Sequence, residues 1–494
     1  MPAKNASPQL SHLLEPHTGE RAALVHEGRS WSYAELEAHV RALAADLDGL
    51  RDERVAFMLP TCPAAVTVYL ACFRTGAVAA PLNTRYAPPE IEGALRRARP
   101  RLLIVDEERA ARLDGVDPAV LAGVRVMVTT PDGDGDREPS PAPPASRTAP
   151  ELAAPAPAPE QPAVLFFTSG STGPPKGVVH SHRSALAMLT STAEAMGGTR
   201  ADDVTLVCDP LVHVSGFIET LSTLMAGGTA VLQDGFDLPA YVEALRRHRP
   251  TLICTHIDVL SQVLHAPGAE RQWFSSLRGV YTGGDTVPGA VQREFRDLTG
   301  LPIGVGYGLT EAIWLTVDRA PRADADGAVG SPVGGAELRT DEETGELLVR
   351  GPMLMSGYWE DEALTRESMT QGWLHTGDLG VRDAGGGWRF RGRVKDLIVR
   401  RTSKITPGEV ESAIDRHPEV SASAVVAAED PAEGQVPVAF VVVREGSALT
   451  AGALTAYLRG QLAAYKVPGR IHFLAALPLT ASGKIAHHDL HEPV

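Results

Sequence analysis

Thr168-Ser169-Gly170-Ser171-Thr172-Gly173-Pro174-Pro175-Lys176-Gly177 follows an apolar run, 163–167, that reads as a buried strand. Its glycines permit backbone conformations closed to other residues. A small, hydroxyl-rich turn ending in a lysine can wrap a phosphate with N–H and O–H donors while the ammonium supplies charge. It is not a Walker A loop, which needs Gly immediately before its Lys and Ser or Thr immediately after. Here Pro175 precedes Lys176 and Gly177 follows it. Prolines have no N–H to offer, so Thr168, Ser169, Ser171 and Thr172 must carry more of the donor work. The competing reading is a flexible surface linker, but linkers rarely follow a buried strand or place a proline pair beside a lysine.

Upstream, short apolar strands alternate with amphipathic helices. Residues 21–26 and 29–31 read as a hairpin. A helix over 32–47 opens with Ser32 as its cap and Glu35 three residues on. Strands at 54–59 and 77–81 flank a helix at 63–74, and a helix at 88–97 continues the rhythm. From 131 to 162 the chain is rich in Pro, Ala, Gly and acidic residues, which predicts a mobile excursion. Downstream of the opening stretch the alternation resumes: helices at 181–196, 217–225 and 289–298, and strands at 204–208, 229–233, 251–255 and 277–281. This predicts an α/β fold with parallel-rich sheets. Three candidate ligand loops (168–177, 282–286 and 306–311), each containing glycine, fall at strand ends, so one edge of a sheet is expected to carry all three. Residues 329–394 are richer in strands and turns, a β-rich subdomain closing the large domain. Beyond Lys395-Asp396 a small α+β domain is expected, opening on a capping box at Thr406-Pro407-Gly408-Glu409. The expected division is therefore 1–394 for the large N-terminal domain and 395–494 for the small C-terminal one.

At 494 residues, two or more domains are needed. A formal charge of −15 argues against non-specific nucleic-acid binding, which rests on basic surface. It leaves room for anionic ligands, which need only local positive charge. Cys62, Cys72, Cys208 and Cys254 are scattered without metal or redox spacing and read as reduced, near-core residues of a cytoplasmic protein. No stretch approaches the length of a membrane span, and the first nine residues lack a signal pattern.

Gly306-Tyr307-Gly308-Leu309-Thr310-Glu311 combines an aromatic face, a hydroxyl and a carboxylate in a few positions. A π-face suits a base, and hard oxygens suit Mg²⁺ bridging ATP phosphates. Alone this stretch could be an ordinary turn; beside the 168–177 stretch it reads as a nucleotide site. The two together resemble the phosphate loop and adenine motif of the adenylate-forming superfamily: acyl- and aryl-CoA synthetases, peptide-synthetase adenylation domains and beetle luciferases.

The resemblance runs along most of the chain and implies roles residue by residue. Thr168, Ser169, Gly170, Ser171, Thr172, Gly173 and Lys176 would bind ATP phosphates. Tyr307 would lie on the adenine, bordered by Gly284 and Asp285. Thr310 would contact the phosphates and Glu311 would hold Mg²⁺. Asp378, in His375-Thr376-Gly377-Asp378, and Arg393 would bind the ribose. Lys484, in Thr480-Ala481-Ser482-Gly483-Lys484, would be the catalytic lysine, and Lys395 the hinge on which the small domain rotates. Three departures stand out. Asp285 occupies a position that usually differs, His487 stands where Arg is common, and Arg401-Thr402 replace a Gly-Gly that forms part of the pantetheine channel.

His213 matches the acyl- and aryl-CoA synthetase pattern, where amino-acid-activating domains carry Asp for the α-ammonium. An imidazole replaces that carboxylate poorly, so an α-amino acid is not expected. His213, Phe217 and Trp314 are candidates for the acyl pocket, His213 also for a catalytic role beside Lys484, Glu311 and Thr310, and Phe217 and Trp314 read equally well as plain core. No arginine pair for a second carboxylate stands near these motifs, which disfavours malonate. The resemblance implies an ATP- and Mg²⁺-dependent acid–thiol ligase acting on a small carboxylic acid. The acceptor is CoA or, alternatively, the phosphopantetheine of an acyl carrier protein. No nucleic-acid partner or membrane span is expected, and a homodimer is left open.

Overall fold

The computed structural model describes residues 9–17, 19–133, 155–168, 176–284, 287–322, 327–401, 403–430, 433–479 and 485–491. The described residues form three sheets of fourteen, seven and five strands. The first two build a large mixed α/β domain and the third a smaller one.

The helix Tyr33–Asp46 begins as the sequence dictates. Ser32 Oγ accepts the Glu35 N–H at 3.1 Å, and the Glu35 carboxylate accepts the Ser32 N–H at 2.7 Å. Pro63–Thr75 is buried along almost its whole length, which explains its lack of a polar face. It lies between the sheets, where its Tyr69 and Phe73 rings meet Phe217 and form part of the main core.

In the largest sheet, Ala22–His26, Thr229–Leu232, Val204–Val207, Leu252–Cys254, Gly279–Gly283 and Ile303–Leu309 run parallel in that spatial order. Such strands are buried on both faces, hence their near-continuous apolar runs. The order then turns antiparallel through Ala312–Asp318, Ala328–Pro332, Trp388–Arg393 and Trp373–Arg382. The β-rich region is thus a continuation of the large sheet. In the seven-stranded sheet, Pro162–Thr168 pairs parallel with Val78–Pro81 and antiparallel with Lys176–Ser181.

Two expectations need correction. The three glycine-containing stretches do not share one sheet: Thr168 and Lys176, which bound the first, belong to the seven-stranded sheet, and the strands Gly279–Gly283 and Ile303–Leu309 that carry the others belong to the fourteen-stranded one. The 306–311 stretch is mostly strand, because Ile303–Leu309 continues to a link at Thr310-Glu311 and returns as Ala312–Asp318. Glycines at 304 and 306 are what let it run there. A Cβ on Gly304 would meet the Tyr281 ring at 2.6 Å, and one on Gly306 the Trp314 ring at 1.7 Å.

The small domain holds Ile398–Arg400, Ser403–Ile405, Val420–Asp430, Gly434–Val443 and Arg470–Phe473 in one sheet. The helices Pro407–Asp415 and Ala451–Arg459 pack on it around Val410, Ile414, Leu454 and Leu458. The expected capping box at Thr406 does not form: Thr406 is the N-cap residue, but its side chain makes no cap bond. The Glu409 carboxylate is taken instead by Lys466 Nζ, at 2.6 and 2.7 Å to its two oxygens. A charged donor outcompetes a backbone N–H for the same carboxylate.

Candidate active site

Asp378 lies in the long strand Trp373–Arg382, directly opposite Arg393 in the neighbouring strand. Its side chain is 7% exposed, and its carboxylate is matched on both oxygens. The Tyr307 hydroxyl donates to Oδ2 at 2.8 Å, and Arg393 Nε stands 3.3 Å from Oδ1. Burial and the adjacent carboxylate push the Tyr307 phenol well above its usual range, so it remains a donor. Phe390 lies against the Tyr307 ring, centroids 6.2 Å apart. Residues about seventy positions apart in sequence thus meet as one group.

A second group forms at the turn of the hairpin that carries Tyr307. The Tyr358 hydroxyl donates to Glu311 Oε1 at 2.8 Å, and Lys176 Nζ lies 5.5 Å from the Tyr358 ring centroid. Tyr358 is brought there because Gly357–Tyr358 pairs antiparallel with Lys176–Ser181. Burial and Glu311 push its phenol upward as well. His180 Nε2 is 2.8 Å from the Thr310 carbonyl. These contacts join the two large-domain sheets across the site. At the root of the 168–177 stretch, Thr168 Oγ1 donates to the Lys176 carbonyl at 3.5 Å.

Gly284, at the end of Gly279–Gly283, has φ +82° and stands beside the glycine-rich strand that carries Tyr307. Trp314 is nearly buried over Gly306 and close to Gly283. His213 is half-buried and caps the helix Val214–Met225 through its backbone, its carbonyl accepting the Phe217 N–H at 3.2 Å. Phe217 departs from its candidate role: it has no exposed surface and packs on Tyr69, Phe73 and Phe166. On the same helix Glu219 is buried, its carboxyl pushed well up by burial and by Asp209 beside it. Lys395 sits in the short turn Val394–Asp396, directly after Arg393. Ser169, Gly170, Ser171, Thr172, Gly173, Asp285 and Lys484 lie outside the described residues. Leu479 and Ile485, which flank the Lys484 segment, bridge antiparallel.

Arg401, which stands in place of an expected glycine, and its neighbour Arg400 have partners of their own. Arg400 Nε stands 3.1 Å from Glu433 Oε2, and Arg401 pairs with the other Glu433 oxygen. Arg401 has φ +55°, the left-handed conformation that a glycine adopts without strain.

The donor set suits a magnesium ion that arrives with its nucleotide. The Glu311 carboxylate is held by Tyr358, whose ring Lys176 approaches, and no group of three or more His, Cys, Asp or Glu side chains that could hold a metal exists among the described residues. Mg²⁺ typically takes one or two carboxylates plus substrate phosphates and keeps its waters.

Residues 15–359 match the family model for AMP-binding enzymes, and residues 409–484 match that for the AMP-binding enzyme C-terminal domain. The chain belongs to the AMP-binding enzyme family. Within the adenylate-forming superfamily it is an acyl-CoA synthetase, an ATP-dependent, AMP-forming acid–thiol ligase. It is 34% identical to a feruloyl-CoA synthase of an Amycolatopsis species, over 96% of this chain and 95% of that protein. It is 32% identical to an indoleacetate–CoA ligase of Aromatoleum aromaticum, over 98% of each. The ATP-bound crystal structure of MatB from Rhodopseudomonas palustris superposes with a TM-score of 0.87 at 28% identity, over 97% of both chains.

Two residues of this acyl-CoA synthetase escaped sequence reasoning. Tyr358 follows a glycine in an unremarked stretch, and only strand pairing places it at Glu311. His180 carried a readable signal: it lies four residues after Lys176, and even spacing on a strand puts both on one face.

Proposed function

We propose that this acyl-CoA synthetase activates an aromatic monocarboxylic acid and passes the acyl group to CoA, using the residues assembled around the Ile303–Leu309 hairpin. The observation that carries this reading is the Tyr307–Asp378–Arg393 group. A buried carboxylate with a phenol and a guanidinium on it is a ready acceptor for ribose hydroxyls, beside an aromatic face for the base. The names of the relatives support an aromatic acid. His213 and Trp314 remain the candidates for the acyl wall, while Phe217 is core.

In the first step an acid carboxylate oxygen attacks the α-phosphorus of ATP. The bond from that phosphorus to the bridging oxygen breaks, and pyrophosphate leaves with the electron pair. Lys176 and the hydroxyls of 168–172 offset the phosphate charge. Thr310 would contact the phosphates and Glu311 would hold Mg²⁺, which when bound supplies charge neutralisation on the phosphates. Asp378 and Arg393 fix the ribose, so the α-phosphate has a defined position. Lys484 bridges the incoming carboxylate and the α-phosphate, two like charges that must meet. In the second step the CoA sulfur, having lost its proton, attacks the acyl carbonyl carbon and AMP departs. The unit from 395 onward acts as a lid that turns at Lys395 between the steps. The Arg444–Glu294 ion pair, at 3.4 Å and partly exposed, is the kind of inter-domain contact that such a turn breaks at little cost.

The test is AMP release over a panel of aliphatic, aromatic and dicarboxylic acids, with free CoA and with loaded carrier protein as acceptors. Aromatic acids with CoA are expected to lead. Lys484→Ala should nearly abolish pyrophosphate exchange yet still convert supplied acyl-AMP to thioester. A chain that releases AMP with no acid at all refutes the reading.

A further inference from the structure

The link Thr310-Glu311 joins two antiparallel strands, with Leu309 opposite Ala312. Two-residue hairpin links favour turns with φ above zero, which is why Asn and Gly dominate them. Neither Thr310 nor Glu311 has positive φ, and neither is a residue of that type. The link is therefore not fixed by its own turn chemistry, and its conformation has to come from outside.

Three contacts supply it. The Thr310 carbonyl is met by His180 Nε2 at 2.8 Å, the Glu311 carbonyl accepts the Met355 N–H at 2.8 Å, and Glu311 Oε1 accepts the Tyr358 hydroxyl at 2.8 Å. A carbonyl only accepts, so the His180 ring carries its hydrogen on Nε2, leaving Nδ1 toward Ser184 Oγ at 3.3 Å. With no exposed surface and the Phe166 ring packed edge-on against it, His180 has nowhere to swing. His180 shares a strand face with Lys176, and Tyr358 comes from the strand paired to that one. The partner is tied on by Ser356 N–H to the Val179 carbonyl and Trp359 N–H to the Gly177 carbonyl, both at 2.7 Å.

We propose that His180 and Tyr358 are positioning residues that hold Thr310 and Glu311 to the strand carrying Lys176, so that the phosphate-binding and metal-binding ends of the site form one rigid body. This rests on the ATP reading above. Displacing either holder would let the Glu311 carboxylate wander while the adenine and ribose contacts of Tyr307, Asp378 and Arg393 stay in place.

The experiment is equilibrium binding to the full chain, without turnover. Mn²⁺ with α,β-methylene-ATP is followed by the loss of the free-ion resonance signal, and adenosine by equilibrium dialysis. Tyr358→Phe removes only a hydroxyl, and His180→Leu removes the donor. Both should weaken manganese–nucleotide binding about tenfold, the loss of one hydrogen bond to a charged or carbonyl group, and leave adenosine within about twofold. His180→Gln, which keeps an N–H donor at similar reach, should stay within about threefold of the native chain. Equal weakening of adenosine, or native-like manganese–nucleotide binding by Tyr358→Phe, overturns the proposal even if His180→Leu fails to fold. A native chain that binds no manganese–nucleotide overturns the ATP reading itself, a different failure.

Discussion

Asp378 and His180 show how burial sets the chemistry of single residues here. A buried carboxylate is tolerable because Tyr307 and Arg393 satisfy it. A substrate that offers hydroxyls can then join a pre-organised acceptor. His180 and His182 are buried histidines of the opposite kind. Burial pushes both rings down to about 4 from an ordinary 6.5, with Arg51 adding a smaller push on His182. Both stay neutral at pH 7. The folded chain declines a proton that the unfolded chain accepts, so stability is fully present above about pH 6.5. It falls as pH drops through the interval to about 4, by on the order of 3 kcal/mol for each ring. Urea unfolding followed from pH 8 to pH 4 should show this loss, and His180→Gln should make the slope shallower. An unchanged slope would contradict the assignment.

At the scale of elements, the hairpin Ile303–Leu309 to Ala312–Asp318 depends on one close approach. The Trp314 ring occupies the space where a Cβ at position 306 would stand. Gly306→Ala is therefore expected to cost about 3 kcal/mol or more through overpacking, and to displace Tyr307 next to it. Adding Trp314→Ala should restore part of that stability, since the clash lies between those two side chains. Thermal unfolding of the two single variants and the double variant measures the coupling; simple additivity would dismiss it. The helix Tyr33–Asp46 shows a local rule obeyed, with both halves of its capping box in place. The helix Pro407–Asp415 shows the same rule overridden, because Lys466 reaches Glu409 from a distant segment.

For the whole molecule, two sheets of the large domain meet at the site and a separate sheet stands beyond it. Among the described residues no helix is long and apolar enough to cross a membrane, and all four cysteines are free and buried. If the small domain turns at the segment Val394–Asp396, freezing one backbone angle there should separate the two half-reactions. Lys395→Pro removes an N–H and fixes φ. It should leave acid-dependent pyrophosphate exchange within about threefold and slow thioester formation tenfold or more. Measuring both rates on one preparation checks this, and equal slowing of both would count against a hinge at that position.

The chain's own order of residues determined the alternation of strands and helices, the Ser32 cap, the parallel core strands and the family to which the protein belongs. Each of these follows from neighbours within a turn or a strand, where periodicity and backbone chemistry act directly. Tertiary structure alone decided that the strands carrying Thr168 and Lys176 and the strand carrying Tyr307 belong to different sheets, that Phe217 is core, and that Thr406 lacks its cap bond. It also decided that Tyr358 and His180 reach Glu311 and Thr310. The His180–Thr310 contact spans 130 residues. Such meetings depend on which strand pairs with which and in what register, a choice settled by the packing of the whole chain.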